Sequence, residues 1–188
     1  PVRLTGDGRG GYAVNAGTLG SGNIQLTRTN SLIPELSGNL NLKPLTLVDD
    51  AKGQADVAIT LGGNLNAPTV AGSITTVGAE VSGVTLVDTT GSIAGTLQNL
   101  TGTLRQGTQT VGTLSGQTLT LTDFGVKAAD STIKASGTAK LNGVADLALT
   151  SLGAVQGTLK VDYAGSVLKA SGNIATQGFT SALNVQAS

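Results

Sequence analysis

Short runs in which apolar and polar residues alternate recur along the chain, and glycine often sits at the centre of their apolar side. In 155–163 the odd positions carry Val, Gly, Leu, Val and Tyr, whereas the even positions carry Gln, Thr, Lys and Asp. The runs 133–141 and 168–174 repeat this arrangement. Looser copies centre on Gly38, Gly72, Gly95 and Gly102. Successive strand residues face opposite sides, so each run predicts a strand with one apolar and one polar face.

The runs predict an all-β fold of many short strands, because no segment keeps the 3.6-residue period of an amphipathic helix. The predicted strands are 12–18, 22–29, 35–42, 45–49, 54–61, 70–76, 79–87, 91–97, 100–105, 110–115, 117–122, 124–128, 131–141, 144–150, 153–163, 167–176 and 179–187. The predicted turns are Asp7-Gly8, Asp49-Asp50, Ala67-Pro68, Asn142-Gly143 and Ala164-Gly165. Glycine inside a strand marks a bend or a close approach. We therefore expect an elongated, curved sheet, and the irregular glycine spacing favours an antiparallel meander over a solenoid.

Composition makes any hydrophobic core thin. The chain has 28 Gly, two Tyr, two Phe and no Trp, and 12% of its residues are charged, against about 25% in a typical domain. Aromatic side chains usually supply much of a core, so here Ala, Val, Leu and Ile must do so. The alternation leaves two structures open: a sandwich whose two sheets cover each other, and a curved sheet whose apolar face stays accessible as a groove.

Charge and reactive residues exclude several classes of function. The formal net charge is zero, and the 11 basic and 11 acidic residues are scattered singly. Without a basic cluster or aromatic platforms we expect no nucleic-acid partner. No apolar stretch approaches the roughly 18 residues of a transmembrane helix. His and Cys are absent, which removes the commonest general bases and thiol nucleophiles. We expect no enzyme, no cofactor and no metal site.

Two motifs with chemical interpretations are better explained as turns. The segment 6–11 reads Gly-Asp-Gly-Arg-Gly-Gly and contains GxGxxG. A dinucleotide site would need a helix to follow it, but the next residues, 12–14, are strand-like. The pair Asp49-Asp50 also predicts a solvated turn. Most other carboxylates, such as Asp146 and Asp162, fall on the polar side of a predicted strand.

The segment 61–74 reads Leu-Gly-Gly-Asn-Leu-Asn-Ala-Pro-Thr-Val-Ala-Gly-Ser-Ile. It resembles the phrase G-x-L-x-x-P-x-hydrophobic-x-G-x-hydrophobic that recurs in TamB and related AsmA-like proteins of double-membrane bacteria. The continuation 75–88, together with Ile93–Leu97 and Leu100–Leu104, is similar to the same family. The best match covers 61–105, and weaker copies around 36–40 and after 130 extend it to most of the chain.

The resemblance implies a β-taco, a long groove of β-sheet with a hydrophobic interior. Proteins of this family lie in the periplasm of the cell envelope, and they are implicated in phospholipid transport between the inner and outer membranes. With an outer-membrane barrel partner they are also implicated in the assembly of outer-membrane proteins. We expect residues 1–188 to be a single repetitive β-groove segment, internal to a longer protein and without a membrane anchor of its own.

The leading hypothesis is that the apolar face shields phospholipid acyl chains. The residues predicted to line the groove are Leu36, Leu40, Val70, Ile74, Ile93, Leu97, Leu100, Leu104, Ile133, Leu141, Val155, Leu159, Val161, Leu168 and Ile174. Two alternatives stay open. One is a structural or adhesive β-solenoid passenger on the cell surface. The other is a scaffold that templates outer-membrane strands by β-augmentation.

Overall fold

The structure is a computed structural model that describes residues 2–28, 32–81, 83–96, 98–128, 131–140, 144–151, 156–164, 167–176 and 179–187. The strands are β1 Arg3–Gly6, β2 Gly11–Asn15, β3 Gly20–Thr27, β4 Glu35–Leu42, β5 Lys52–Asn64, β6 Ala67–Val81, β7 Val84–Leu86, β8 Thr89–Thr96, β9 Asn99–Gln106, β10 Gln109–Ser115, β11 Thr118–Ala128, β12 Ser131–Lys140, β13 Val144–Ser151, β14 Gln156–Ala164, β15 Val167–Thr176 and β16 Phe179–Ala187. Short 3-10 helices occupy Gly17–Leu19 and Pro44–Leu47. The described residues contain no α-helix, which confirms the all-β prediction.

All strands belong to one sheet, and apart from β7 each pairs with its neighbours in sequence. Every pairing is antiparallel. The predicted meander is therefore confirmed over the described residues, and these residues do not form a parallel solenoid. Short hairpin loops keep the loss of chain entropy on folding small, because most strands pair with a segment only a few residues away.

The β5–β6 hairpin shows how local chemistry sets a turn. Its turn residues are Leu65 and Asn66, two positions before the predicted Ala67-Pro68. The side chain of Asn64 causes the difference, because its Oδ1 accepts hydrogen bonds from the backbone N–H groups of Asn66 and Ala67, both at 3.0 Å. An Asx turn of this kind bends the backbone without a proline.

The predicted strands differ from the structure in several places, of which three follow. The segment 45–49 lies largely in a 3-10 helix with Pro44 in its first turn, because proline fixes φ and cannot donate to a sheet. The segment 79–87 is divided between β6 and β7 by a turn at Gly83, which has φ of 78°. The segments 117–122 and 124–128 form one strand, β11, interrupted by a register shift between Leu121 and Phe124. Asn142-Gly143 and Gly165 lie outside the described residues.

The predicted alternation appears directly in the burial of side chains. In β4 the apolar positions are half-buried and the polar positions between them are exposed, and β3 follows the same pattern. The register keeps these positions on one face: Leu40 pairs with Ile59, which pairs with Gly72, which pairs with Ile93. An apolar face therefore continues from strand to strand across the sheet.

Part of the sheet closes on itself. Strands β6, β8, β9, β10 and β11 follow one another, and β7 then pairs with both β11 and β6. The result is a closed six-stranded antiparallel barrel. β7 makes the closure with three residues, Val84–Leu86, which pair with Val126–Ala128 of β11. The remaining strands extend the sheet beyond the barrel on both sides.

Glycines on the apolar face make room for large side chains from the neighbouring strands. A β-carbon added at Gly91 would lie 2.5 Å from Leu104 Cδ2 and 2.9 Å from Ile74 Cγ2. One added at Gly112 would lie 3.2 Å from both Leu104 and Leu121. The space above these glycines is therefore not empty. Cross-strand aliphatic groups already cover much of the space above them.

The fold buries little apolar surface completely. Among the described residues, only Ala79, Leu100 and Val111 are fully buried apolar side chains. The chain exposes 11834 Å², whereas a compact monomer of its 18.5 kDa would expose about 8,200 Å². On the apolar face of the first strands, Leu4 remains 62% exposed and Tyr12 39% exposed. The described strands all belong to one sheet, so these residues do not form a sandwich of two separate sheets.

Candidate functional site

An apolar cavity lies where the barrel strands meet the open sheet. Its volume is about 250 Å³, it is partly open, and the surface that it presents is entirely apolar. The side chains that supply this surface belong to aliphatic residues on successive strands: Val57, Ile59, Ile74, Ile93, Leu104, Leu114 and Leu119. Gly72 and Gly91 lie between them.

The cavity shows how strongly the sheet curves. Strands β5 and β11, which lie five steps apart in the sheet, both line it, through Val57 and Leu119. In a flat sheet they would be about 24 Å apart, at ~4.8 Å per step. Both can reach one cavity of about 250 Å³ only if the sheet rolls toward its apolar face. The apolar face is therefore concave in this region.

The structure brings three of the predicted groove residues together, namely Ile74, Ile93 and Leu104. Others with described side chains are half-buried or buried but do not line this cavity: Leu36, Leu40, Val70, Leu100 and Ile133. Leu36 instead borders a mixed polar cleft near Glu35 and Asn64. Leu159 and Val161 are residues of β14, and Leu168 and Ile174 are residues of β15. Leu97, Leu141 and Val155 lie outside the described residues.

Sequence reasoning missed four lining residues, Val57, Ile59, Leu114 and Leu119. The prediction concentrated on runs with a central glycine, and Val57 and Ile59 lie in the run 54–61, which contains no glycine. Leu114 and Leu119 flank the hairpin between β10 and β11 and pair with each other. The alternation alone, without the requirement for glycine, would have found all four.

A layer of hydrogen-bonded polar groups lies inside the barrel next to the cavity. Thr76 and Thr89 are each 3% exposed. The backbone N–H of Thr89 donates to Thr76 Oγ1 at 2.9 Å, and Gln106 Nε2 donates to Thr89 Oγ1 at 3.1 Å. Gln106 also pairs with the backbone of Gly125, donating to its carbonyl at 2.9 Å and accepting from its N–H at 2.8 Å. We call Thr76, Thr89, Gln106 and Gly125 the polar layer.

Gln106 substitutes for a missing strand pairing. β10 pairs with β11 only up to Leu121, and β7 begins to pair with β11 at Val126. Gly125 lies between these two pairings, so neither β10 nor β7 offers a hydrogen-bond partner to its buried backbone. The side-chain amide of Gln106 offers one donor and one acceptor in the same arrangement as a peptide group. It therefore closes the barrel wall where the ladder is interrupted.

The motifs that suggested chemistry are turns and solvated side chains. The segment 6–11 leads into strand β2, not into a helix, so the turn interpretation is confirmed. Asp146 is exposed and lies 3.6 Å from Lys160 on the polar face, a contact of the kind that contributes little to stability. Among the described residues, no three His, Cys, Asp or Glu side chains come together in a way that could hold a metal ion.

Asp7 provides a prediction for pH dependence. Its Oδ1 accepts hydrogen bonds from the N–H groups of Arg9 at 2.7 Å and Gly11 at 2.9 Å, and these bonds lower the pKa of the Asp7 carboxyl below its ordinary value. A lowered folded-state pKa stabilises the turn above the unfolded value of about 3.9, and this contribution is lost as the pH falls through the folded-state pKa. An NMR titration of the Asp7 carboxyl should find a lower midpoint in the folded protein than in the urea-unfolded chain. An equal or higher midpoint in the folded protein would contradict the turn geometry.

None of the described helices is long and apolar enough to cross a membrane. Comparison with protein-family models, with characterised proteins and with solved structures gives no match for this chain. The class that the geometry defines is therefore an antiparallel β-meander, with a six-stranded barrel and an apolar cavity on its concave face.

Proposed function

We propose that this chain is a segment of a cell-envelope protein whose concave apolar sheet face shields lipid acyl chains during phospholipid transport between inner and outer membranes. The observation that carries the proposal is the cavity of about 250 Å³, which is partly open and lined only by apolar surface. The sequence resemblance to TamB and AsmA-like proteins supports the periplasmic setting.

The chemistry of the lining favours hydrocarbon over peptide. A peptide that entered the cavity would bring backbone N–H and C=O groups, and each would lose its hydrogen bonds to water. The cavity presents no polar surface that could replace them. An acyl chain has no such groups to satisfy, and its binding gains from removing apolar surface from water. The occupant that fits best is therefore a saturated or unsaturated hydrocarbon chain.

The continuity of the apolar face beyond the cavity gives further support. Soluble monomers rarely leave contiguous apolar patches larger than about 300–600 Å² unless the patch has a use. Here the apolar face continues across paired strands from Leu40 to Ile93, and Leu4 and Tyr12 remain exposed on the same kind of face at the β1 end. A face of this kind could contact a lipid tail along its length while the polar headgroup stays in water.

Photo-crosslinking on β8 tests the proposal with a matched pair of adjacent positions. Ile93 lines the cavity, and Ala94 is the next residue, exposed on the polar face. A photoreactive amino acid replaces one or the other in chains expressed in the periplasm of a double-membrane bacterium. We expect phospholipid adducts at position 93 to exceed those at 94 by about tenfold. This ratio corresponds to a free-energy preference of about 1.4 kcal/mol for contact between the acyl chain and position 93.

A second pair on another strand repeats the comparison. Leu104 lines the cavity and Arg105 is exposed, so lipid adducts should again favour the first position. The proposal is wrong if both pairs give equal adduct yields, or if neither position gives any adduct while the protein remains folded.

A further inference from the structure

On three strands the polar layer lies one side-chain step from residues that line the apolar cavity. On β6, Ile74 lines the cavity and Thr76, the next residue on the same face, belongs to the layer. On β9, Leu104 lines the cavity and Gln106 is the next residue on that face. On β8, Thr89 belongs to the layer, and Gly91, two positions later on the same face, lines the cavity. A step of two strand residues is about 7 Å, so the surface changes from apolar to polar over one side-chain spacing.

The layer extends across most of the barrel. Its hydrogen bonds connect Thr76 of β6 to Thr89 of β8, then to Gln106 of β9 and finally to Gly125 of β11. Among the described residues, no buried side-chain nitrogen or oxygen lacks a hydrogen-bond partner. The layer therefore has no free polar group with which to recognise a headgroup. A hydrocarbon chain could pass only by separating buried polar groups from one another, which is unfavourable.

We infer that the polar layer is the floor of a blind pocket, so that a hydrocarbon chain end enters from the open sheet and stops at Ile74 and Leu104. The short strand β7 seals the barrel behind this floor. The nature of the occupant rests on the proposed function, whereas the barrier is a property of the barrel itself. Gln106 then determines how deep the pocket is, because it links the layer to β11.

Single cysteines test the barrier without any lipid, because the natural chain contains no Cys. Ile93→Cys places a thiol in the cavity, and Ala79→Cys places one beyond the layer on β6, where Ala79 is 5% exposed. The probe is hexyl methanethiosulfonate, an apolar thiol reagent. We expect Ile93→Cys to react on the order of a hundredfold faster, because modification beyond the floor needs a local opening of the barrel. Equal rates in folded proteins would overturn the inference.

A chain-end probe tests the same barrier with an occupant. A sixteen-carbon fatty acid with a diazirine at its methyl end is photolysed with the purified chain, and the modified residues are located by mass spectrometry. We expect adducts around Ile74, Ile93 and Leu104, and none at the buried Ala79. Adducts at Ala79 would overturn the blind pocket. A complete lack of adducts would instead count against the proposed function, and the cysteine rates would still decide whether the barrier exists.

Gln106→Ala tests which residue forms the floor. Removing the amide should raise the reaction rate of Ala79→Cys by about tenfold, since the local opening becomes easier, and leave that of Ile93→Cys unchanged. An unchanged rate at Ala79→Cys in a folded variant would overturn the role of Gln106. If the variant does not fold, the cysteine reaction rates and the fatty-acid labelling, both measured with Gln106 in place, still decide whether the barrier exists.

Discussion

Replacement of Gly137 by valine is expected to destabilise the protein by about 3 kcal/mol or more, although valine favours β-strands in general. Gly137 lies in the middle of β12, between Leu121 of β11 and Leu147 of β13. Its φ is 147°, a conformation that is essentially restricted to glycine in extended backbone. A β-carbon at this position would also collide with the carbonyl oxygen of Asp146.

Urea unfolding followed by circular dichroism measures this effect, and Gly62→Ala provides the control. Gly62 has no positive φ, and the nearest atom to an added β-carbon is the mobile hydroxyl Thr69 Oγ1 at 3.0 Å. This control should change the free energy of unfolding by about 1 kcal/mol or less. A neutral or stabilising Gly137→Val would show that strand propensity, not backbone conformation, governs this position.

Gln106→Met is expected to cost about 3 kcal/mol of folding stability. Methionine has nearly the same length and fits apolar surroundings, so the change mainly removes the amide. It leaves the buried N–H and carbonyl of Gly125 without the partners now found at 2.8 and 2.9 Å. Each unsatisfied buried backbone group costs about 1–3 kcal/mol. Thr89 loses a hydrogen bond from the same amide.

Gln54→Met is the matched control for this substitution, because Gln54 is an exposed residue of β5. Its effect should stay within about 0.5 kcal/mol. The measurement is the denaturation midpoint together with the slope of the urea transition, which reports whether the folded state remains equally compact. Equal stability of the two variants would mean that the polar layer does not hold the barrel closed.

The parts of the fold that the sequence could predict are those set by neighbouring residues. Alternation assigned Leu40 and Ile74 to the apolar face, because the strand period depends only on the local backbone. The antiparallel meander was predicted from the irregular spacing of glycines along the chain. Barrel closure could not be predicted in this way. It joins Val84–Leu86 to Val126–Ala128, and nothing in either short segment identifies the other.

The candidate site was predictable to a similar extent. Ile93 and Leu104 were predicted lining residues, and both line the cavity. The polar layer was missed because Gln106 resembles every other glutamine in the sequence. Its importance comes from a gap in the ladder opposite Gly125, and that gap exists only after β7 and β10 have both docked on β11. The role of Gln106 as a partner of the Gly125 backbone therefore depends on contacts between distant strands, which the residues around Gln106 in the sequence do not indicate.

The topology also has a mechanical consequence. Outside the barrel each strand pairs only with the strands next to it in sequence. When the two ends of the chain are pulled apart, we expect hairpins to unzip one after another at low force. The barrel should resist longer, since β7 must leave β6 and β11 together. A single molecule held by its ends would then show a staircase of small extensions followed by one abrupt rupture.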